Sequence, residues 1–166
     1  MAAGLGGLSG WLRDFRELHE RARKGALPLG ELATYEASRD ELSRAMLAAQ
    51  KLTLKPGETA RRALRVSRAL QVDIEVGGTS QRAVTLDIST GGFATMLALP
   101  PGLGDLMQVT LRLPGAELLA CQARIVEVRP LTGSTRVAAR FVDLPKSSLE
   151  RLEFLIIDTV LTMMQR

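Results

Sequence analysis

The feature that most constrains the fold is a series of short segments, filling the middle of the chain, in which apolar and polar residues alternate. An alternation with a period of two places every second side chain on one face of a strand, against a core. The segments are joined by turns containing Gly or Pro, with no helical crossover between them, which predicts a mainly β, antiparallel barrel or sandwich. The six predicted strands lie near residues 72–76, 84–88, 93–97, 107–113, 118–128 and 136–142.

Helical patterns flank the predicted strands on both sides. Residues 9–24 and 30–51 carry apolar side chains at steps of three and four, so two helices could pair as a hairpin. The last segment, from residue 146, has too wide an apolar face for a free surface helix, so it must pack on the barrel or the N-terminal helices, or mediate self-association. The predicted organisation is an N-terminal helical extension at 1–53, a linker and ligand-binding arm at 54–65, a barrel at 66–145 and a C-terminal helix at 146–166.

The composition excludes several classes of site. With one cysteine and one histidine in 166 residues, neither an intrachain disulfide nor a common zinc site is expected. The N-terminus lacks the features of a signal peptide and no apolar run could span a bilayer, so we predict a cytoplasmic protein with no membrane partner. We find no paired nucleophile and base, and therefore predict no catalytic residues, no metal and no cofactor.

The positive charge of the chain is concentrated in one place. The net charge is only +4, yet four arginines fall within residues 61–68. A mild overall charge with one dense cluster favours a small anionic ligand or a single anionic patch, whereas a long nucleic acid would favour a broader basic face.

A second polar motif, D-I-S-T-G-G, occupies residues 87–92, where a predicted strand runs into two small acceptor side chains and a glycine pair. If the preceding hairpin turns through four residues at 77–80, opposed positions have numbers that add up to about 157. The arginine cluster and this motif then meet at the same end of one hairpin. The predicted pairs are Arg65 opposite Gly92 and Arg68 opposite Ser89.

The two motifs have complementary chemistry. Arginine presents a planar fork of donors that suits phosphate oxygens and the O6/N7 edge of guanine, and Arg61 and Arg65 stand four residues apart. The Asp87 carboxylate can accept hydrogen bonds from the N1–H and N2–H groups of guanine, the Ser89 hydroxyl adds a polar contact, and glycine lets a backbone approach closely. Each motif alone is typical of a basic surface patch or an ordinary turn, but together they fit a small guanine nucleotide with phosphates.

These stretches resemble the PilZ domain, the bacterial receptor module for the second messenger cyclic di-GMP. The family signature is RxxxR followed about twenty residues later by [DN]xSxxG, which R-R-A-L-R at 61–65 and the motif at 87–92 match. The later stretches PGLGDLMQVTLRLP, ARIVEV and AARFVDL are also similar to the family, and the resemblance covers roughly residues 58–160. It implies a six-stranded antiparallel β-barrel with a C-terminal helix. Carried over by position, the ligand-binding residues are Arg61, Arg65, Asp87, Ser89 and Gly92, with Arg62 as a secondary candidate.

The leading hypothesis is a non-enzymatic cyclic di-GMP receptor for signal transduction, which changes the orientation of its N-terminal helices on ligand binding and so acts on an unidentified protein partner. An alternative is a PilZ-fold adaptor that binds proteins through its apolar helices, with weak or no nucleotide binding. A homodimer through the N- and C-terminal helices is also possible. A small RNA- or DNA-binding barrel is disfavoured because few aromatic residues are present to stack on bases.

Overall fold

The computed structural model describes residues 5–52 and 63–164 of the chain. Two helices are followed by six strands and a last helix, in agreement with the predicted order. The sequence boundaries are correct to within a few residues, except that the second strand begins five residues earlier and the fifth ends three residues later than expected. The elements are α1 (Leu5–Arg23), α2 (Leu29–Leu52), β1 (Gln71–Val76), β2 (Thr79–Ile88), β3 (Gly92–Leu97), β4 (Leu106–Leu113), β5 (Glu117–Leu131), β6 (Ser134–Val142) and α3 (Lys146–Met163).

The six strands form a closed barrel, which decides between the barrel and the sandwich. The strand order is β1-β2-β3-β6-β5-β4, every pair is antiparallel, and β1 closes the barrel by pairing with β4. The last strand, β6, is inserted between β3 and β5, so neighbours in space are not always neighbours in the chain. Closure leaves these six described strands with no unpaired sheet edge.

The hairpin between β1 and β2 turns through two residues, and the predicted register is wrong. Val76 pairs with Thr79, so only Gly77 and Gly78 lie in the turn, both with positive φ (58° and 79°). Two positive φ values in succession define the tight turn that matches the right-handed twist of a β-ribbon, and glycine adopts them without strain. Opposed positions are therefore shifted by two residues from the expected register.

The barrel interior is filled by the apolar residues of the alternating pattern. Aliphatic side chains dominate this core, and Phe93 is the largest side chain that the strands bury completely. Most polar positions of the same strands face outward, as a period of two requires. In β2 a bulge between Thr85 and Asp87 interrupts the expected alternation, so Val84 and Leu86 are exposed (49% and 43%) and Thr85 is buried. Apart from alanines, the apolar strand residues with at most 2% exposure are Val72, Ile74, Ile88, Phe93, Leu97, Met107, Val109, Leu111, Leu119, Ile125 and Val137.

The N-terminal helices α1 and α2 pack against one another as a hairpin. Phe15 on α1 stacks on Tyr35 on α2, with ring centroids 5.6 Å apart, and both side chains are 2% exposed. The buried His19 ring and the Tyr35 hydroxyl are joined by a 2.7 Å hydrogen bond, which satisfies both polar groups inside an apolar contact. His19 therefore has a packing role.

Tertiary contacts divide the chain into two compact units. One contains α1, α2 and the end of α3 from Leu161, and the other contains the barrel with α3 up to Val160. Within the barrel unit, Arg151 of α3 donates a 3.0 Å hydrogen bond to the Leu118 carbonyl on β5. Among the helices that the structure describes, none is long and apolar enough to cross a membrane.

Candidate functional site

The segment before β1 runs back along the end of β2. Val66 and Ile88 exchange two backbone hydrogen bonds of 3.0 and 2.9 Å and form an isolated antiparallel bridge. Both side chains point into the core, at 5% and 0% exposure. This bridge brings the second arginine of the RxxxR motif, Arg65, to the start of the D-I-S-T-G-G motif. The predicted pairing of Arg65 with Gly92 is therefore wrong, because the observed bridge pairs Val66 with Ile88.

Thr85 attaches the same segment to β2. Its backbone N–H donates to the Leu70 carbonyl (2.9 Å), and its hydroxyl accepts from the Leu70 N–H (2.9 Å) and donates to the Arg68 carbonyl (2.6 Å). Thr85 is 2% exposed, so these bonds are shielded from water. The backbone that follows Arg65 is therefore attached to β2 at Val66, Arg68 and Leu70.

The Arg68 side chain lies elsewhere, which corrects the prediction that it stands opposite Ser89. Its guanidinium donates a 3.4 Å hydrogen bond to the Thr159 hydroxyl on α3. Thr159 in turn donates to the Leu155 carbonyl within the helix (2.8 Å). Arg68 thus joins the barrel to α3. Arg61 and Arg62 lie outside the described residues.

Asp87 lies between two guanidinium groups. Arg65 Nη1 is 3.4 Å from Asp87 Oδ1, and Arg136 Nη2 on β6 is 3.5 Å from Asp87 Oδ2. The Asp87 side chain is only 16% exposed, and its Oδ1 atom accepts no hydrogen bond within the described part of the chain. A shielded carboxylate oxygen with unused acceptor capacity is suited to a ligand that brings N–H donors.

Ser89 is engaged in the turn itself. Its hydroxyl oxygen accepts hydrogen bonds from the backbone N–H groups of Gly91 (3.1 Å) and Gly92 (3.2 Å), while its own N–H donates to the Gly92 carbonyl (2.9 Å). Ser89 is 5% exposed. Its described contacts give it a structural role, since both lone pairs of the hydroxyl are already occupied.

Gly92 is required by a close approach of two strands. It pairs with Arg140 on β6, and a β-carbon at position 92 would lie 1.9 Å from the Ala139 carbonyl oxygen. The neighbouring Gly91 carbonyl accepts a 2.9 Å hydrogen bond from the Phe141 N–H. The end of the motif is thereby pressed against β6, and no side chain fits there.

The structure therefore brings Arg65, Asp87, Ser89 and Gly92 together at one end of β2 and β3. Sequence reasoning missed Arg136, which the β3–β6 pairing places beside them. Its outward position on β6 could be read from the alternation of that strand. Its nearness to Asp87 could not, because β6 follows β3 by about forty residues and no hairpin joins them. No cluster of metal-ligating side chains occurs among the residues described.

Comparison with known proteins agrees with this geometry. The family model of the PilZ domain matches residues 59–158, well over half of the chain. The chain belongs to the PilZ family. No protein with a curated description matches the sequence at a significant level.

Solved PilZ structures show the same fold at low sequence identity. Inhibitor of motility (MotI/DgrA) from Bacillus subtilis matches with a TM-score of 0.57 and 20% identity, covering 66% of this chain and 57% of its own. YcgR from Escherichia coli, in complex with c-di-GMP, matches with a TM-score of 0.57 and 16% identity over 63% of this chain and 48% of its own. The MrkH–c-di-GMP complex of K. pneumonia matches with a TM-score of 0.56 and 20% identity, covering 65% of this chain and 56% of its own. This chain thus spans about half the length of these proteins.

Proposed function

We propose that this protein is a cytoplasmic, non-enzymatic receptor for cyclic di-GMP. The observation that carries the proposal is the 3.4 Å approach of Arg65 and Asp87, one residue from each PilZ signature motif. Membership of the PilZ family and the solved complexes of related folds with c-di-GMP support the same ligand.

The proposed roles follow from the chemistry of each group. Arg61 and Arg65, with Arg62 as a secondary contact, bind phosphate and guanine acceptors, because a guanidinium offers paired donors. Asp87 accepts from the N1–H and N2–H groups of guanine. Ser89 and Gly92 shape the turn beside the base, and the Ser89 hydroxyl would contact the base by giving up its 3.4 Å hydrogen bond to the Gly92 carbonyl.

Calorimetric titration with cyclic di-GMP tests the receptor function. We expect saturable heat with wild-type protein, and an affinity weaker by roughly 1–3 kcal/mol in Arg65→Ala. Arg82→Ala is the matched control, since Arg82 forms an ion pair of the same kind with Asp73 (3.3 Å) away from the site. A folded wild-type sample that gives no heat at high micromolar ligand would reject the proposal.

Cyclic di-AMP tests the assignment of Asp87 to the base. Adenine has no N1–H or N2–H donor and presents an N1 acceptor beside its N6 amino group, so it cannot donate the same pair of hydrogen bonds to the shielded carboxylate. We expect it to bind much more weakly than cyclic di-GMP. Equal affinity for the two ligands would contradict base recognition by Asp87 while leaving phosphate binding intact.

We further propose that ligand binding changes the orientation of the N-terminal helices, and that this change alters the surface available to a protein partner. Spin labels at Ala37→Cys on α2 and Gln122→Cys on β5, in a Cys121→Ala background, measure the distance between the two units. Both labelled positions are exposed. A distance distribution that stays the same at saturating cyclic di-GMP would exclude the reorientation without affecting the receptor claim.

A protein-interaction adaptor remains the second candidate, supported by exposed apolar side chains on α3 such as Leu149 (37% exposed). The two candidates differ in whether the biological output depends on the ligand-binding arginines. An adaptor keeps its biological output in Arg61→Ala, whereas a receptor loses the ligand-dependent part of that output.

A further inference from the structure

A row of alternating charges crosses the outer face of the barrel. We call it the charged row; it runs from Arg65 through Asp87 on β2 to Arg136 on β6 and ends at Glu127 and Arg129 on β5. The successive ion-pair distances are 3.4, 3.5, 3.7 and 3.6 Å. The first three side chains are at most 27% exposed, whereas the last two are more than half exposed. The shielded end of the row is the end that contains the signature residues.

The pair between Asp87 and Arg136 spans a whole strand. β3 lies between β2 and β6, with Ala94 directly opposite Asp87 and Met96 directly opposite Arg136. The Arg136 side chain therefore reaches diagonally across β3 at Ala94, which is 0% exposed although it is on the outward side of the sheet. A methyl group at this position leaves room for the guanidinium to pass.

From this geometry we propose that Arg136 is a positioning residue of the ligand site, which holds the Asp87 carboxylate towards the base while Arg65 turns to the phosphates. The proposal rests on the receptor function. Arg136 lies 3.5 Å from Oδ2 of Asp87, whereas the buried Oδ1, which accepts no hydrogen bond within the described residues, faces Arg65 at 3.4 Å and is released when Arg65 turns to a phosphate. Arg136 thus orients the carboxylate without occupying the acceptor that the base needs.

Arg136 also supplies the countercharge that the bound state requires. In the free protein Asp87 has two cationic partners, Arg65 and Arg136. A phosphate competes for Arg65, and a shielded carboxylate that loses its only cation is strongly disfavoured. With Arg136 in place, one partner remains when Arg65 moves. Glu127, 3.7 Å from Arg136 Nη1, holds the second nitrogen of the same guanidinium.

Titration of Arg136→Gln with cyclic di-GMP tests this role. We expect the dissociation constant to rise about tenfold, which corresponds to about 1.4 kcal/mol. The matched control is Arg129→Gln, which removes the same charge from the cross-strand neighbour of Arg136, a residue that pairs with Glu127 at the exposed end of the row. We expect its dissociation constant to stay within about twofold of wild type, since exposed ion pairs contribute little.

A double-mutant cycle separates positioning from direct contact with the ligand. If Arg136 acts through Asp87, then Arg136→Gln has no further effect on affinity in an Asp87→Asn background. A persistent tenfold loss in that background, with a shallower dependence of affinity on salt, would show that Arg136 contacts the phosphates and would overturn the positioning role.

The possible failures are distinguishable. Wild-type protein that does not bind cyclic di-GMP rejects the receptor function and the positioning role with it. Wild-type binding that is unchanged in Arg136→Gln rejects the positioning role alone. Urea unfolding is the folding control for each variant. If Arg136→Gln does not fold, Arg136→Lys keeps the charge but loses the second nitrogen, and must still weaken binding.

Discussion

The turn at residues 89–92 and the charged row belong to one site but are stabilised in different ways. In the turn, Ser89 and Gly92 are buried, their polar groups are satisfied, and Gly92 fits against β6 with no space for a methyl group. In the charged row, ion pairs of 3.4–3.7 Å join side chains that are partly exposed. The turn is thus fixed architecture, and the row is the part that can exchange partners with a ligand.

This difference assigns separate roles within D-I-S-T-G-G. The Ser and the second Gly build the corner of the turn, whereas the recognition chemistry is proposed for the Asp. Substitutions in the turn should therefore change stability, and substitutions in the row should change binding. Three experiments can break or sharpen that comparison, and a fourth provides a reference from a position outside both regions.

The largest expected effect is that of Gly92→Ala on stability. Its β-carbon would lie 1.9 Å from the Ala139 carbonyl oxygen, so one of two paired strands must move. We expect the free energy of unfolding to fall by about 3 kcal/mol, measured by urea denaturation. Gly91→Ala is the control, because its β-carbon would meet only the Ser89 hydroxyl at 3.6 Å. Equal losses for the two variants would show that close packing against β6 is not what requires glycine.

Asp87→Asn should weaken ligand binding more than it lowers stability, the reverse of what we expect for Gly92→Ala. The substitution removes the negative charge between Arg65 and Arg136 but preserves the shape of the side chain. We expect cyclic di-GMP binding to weaken by roughly 1–3 kcal/mol in calorimetry. The free energy of unfolding should fall by less than in Gly92→Ala, because the amide keeps the shape of the shielded side chain and the two guanidinium groups, at 27% and 23% exposure, still reach water. A large loss of stability with unchanged affinity would reverse the assignment of roles.

Ser89→Ala should have an intermediate effect on stability. It leaves the N–H groups of Gly91 and Gly92 without their acceptor, which should lower the unfolding free energy by about 1–2 kcal/mol. Thr90→Ala, in the same turn, is the control and should change it by less than about 0.5 kcal/mol. If Ser89→Ala instead abolishes binding at unchanged stability, Ser89 belongs with the charged row.

The smallest expected effect is a dependence of stability on pH, which comes from Cys121, a residue outside both the turn and the charged row. Burial raises the pKa of the Cys121 thiol on β5 from 9.0 to about 11. Above pH 9 the unfolded chain loses this proton while the folded protein keeps it, so stability falls as pH rises from 9 to 11. The loss should be below about 1 kcal/mol for this half-buried group. It should be smaller in Cys121→Ala, and an identical alkaline decline in that variant would place the cause elsewhere.

Much of the fold could be predicted from the sequence because its signals are local. The period of two in segments such as Gln71–Val76 predicted the strands, and steps of three and four predicted the helices. The predicted register of the β1–β2 hairpin was wrong because the sequence suggested a four-residue turn, whereas only Gly77 and Gly78 form it. The two motifs are nevertheless close together, because a shift of two residues moves Arg65 along β2 but leaves it at the end of β2 that carries Asp87.

The sequence by itself determined the order of the helices and strands and the presence of an arginine motif and an acidic turn motif at the same end of one hairpin, because these depend on local periodicity and on side-chain chemistry. The class of ligand stays a prediction from the same chemistry. Only the tertiary structure decided that Arg136 reaches Asp87, that Gly92 is needed by the backbone of β6, and that Arg68 serves α3 instead of the site. The physical reason for the first two is that β6 inserts between β3 and β5 when the barrel closes, and for the third that α3 brings Thr159 to Arg68 from 91 residues away in the chain. Contacts made by that closure join residues far apart in the chain, and no local pattern records them.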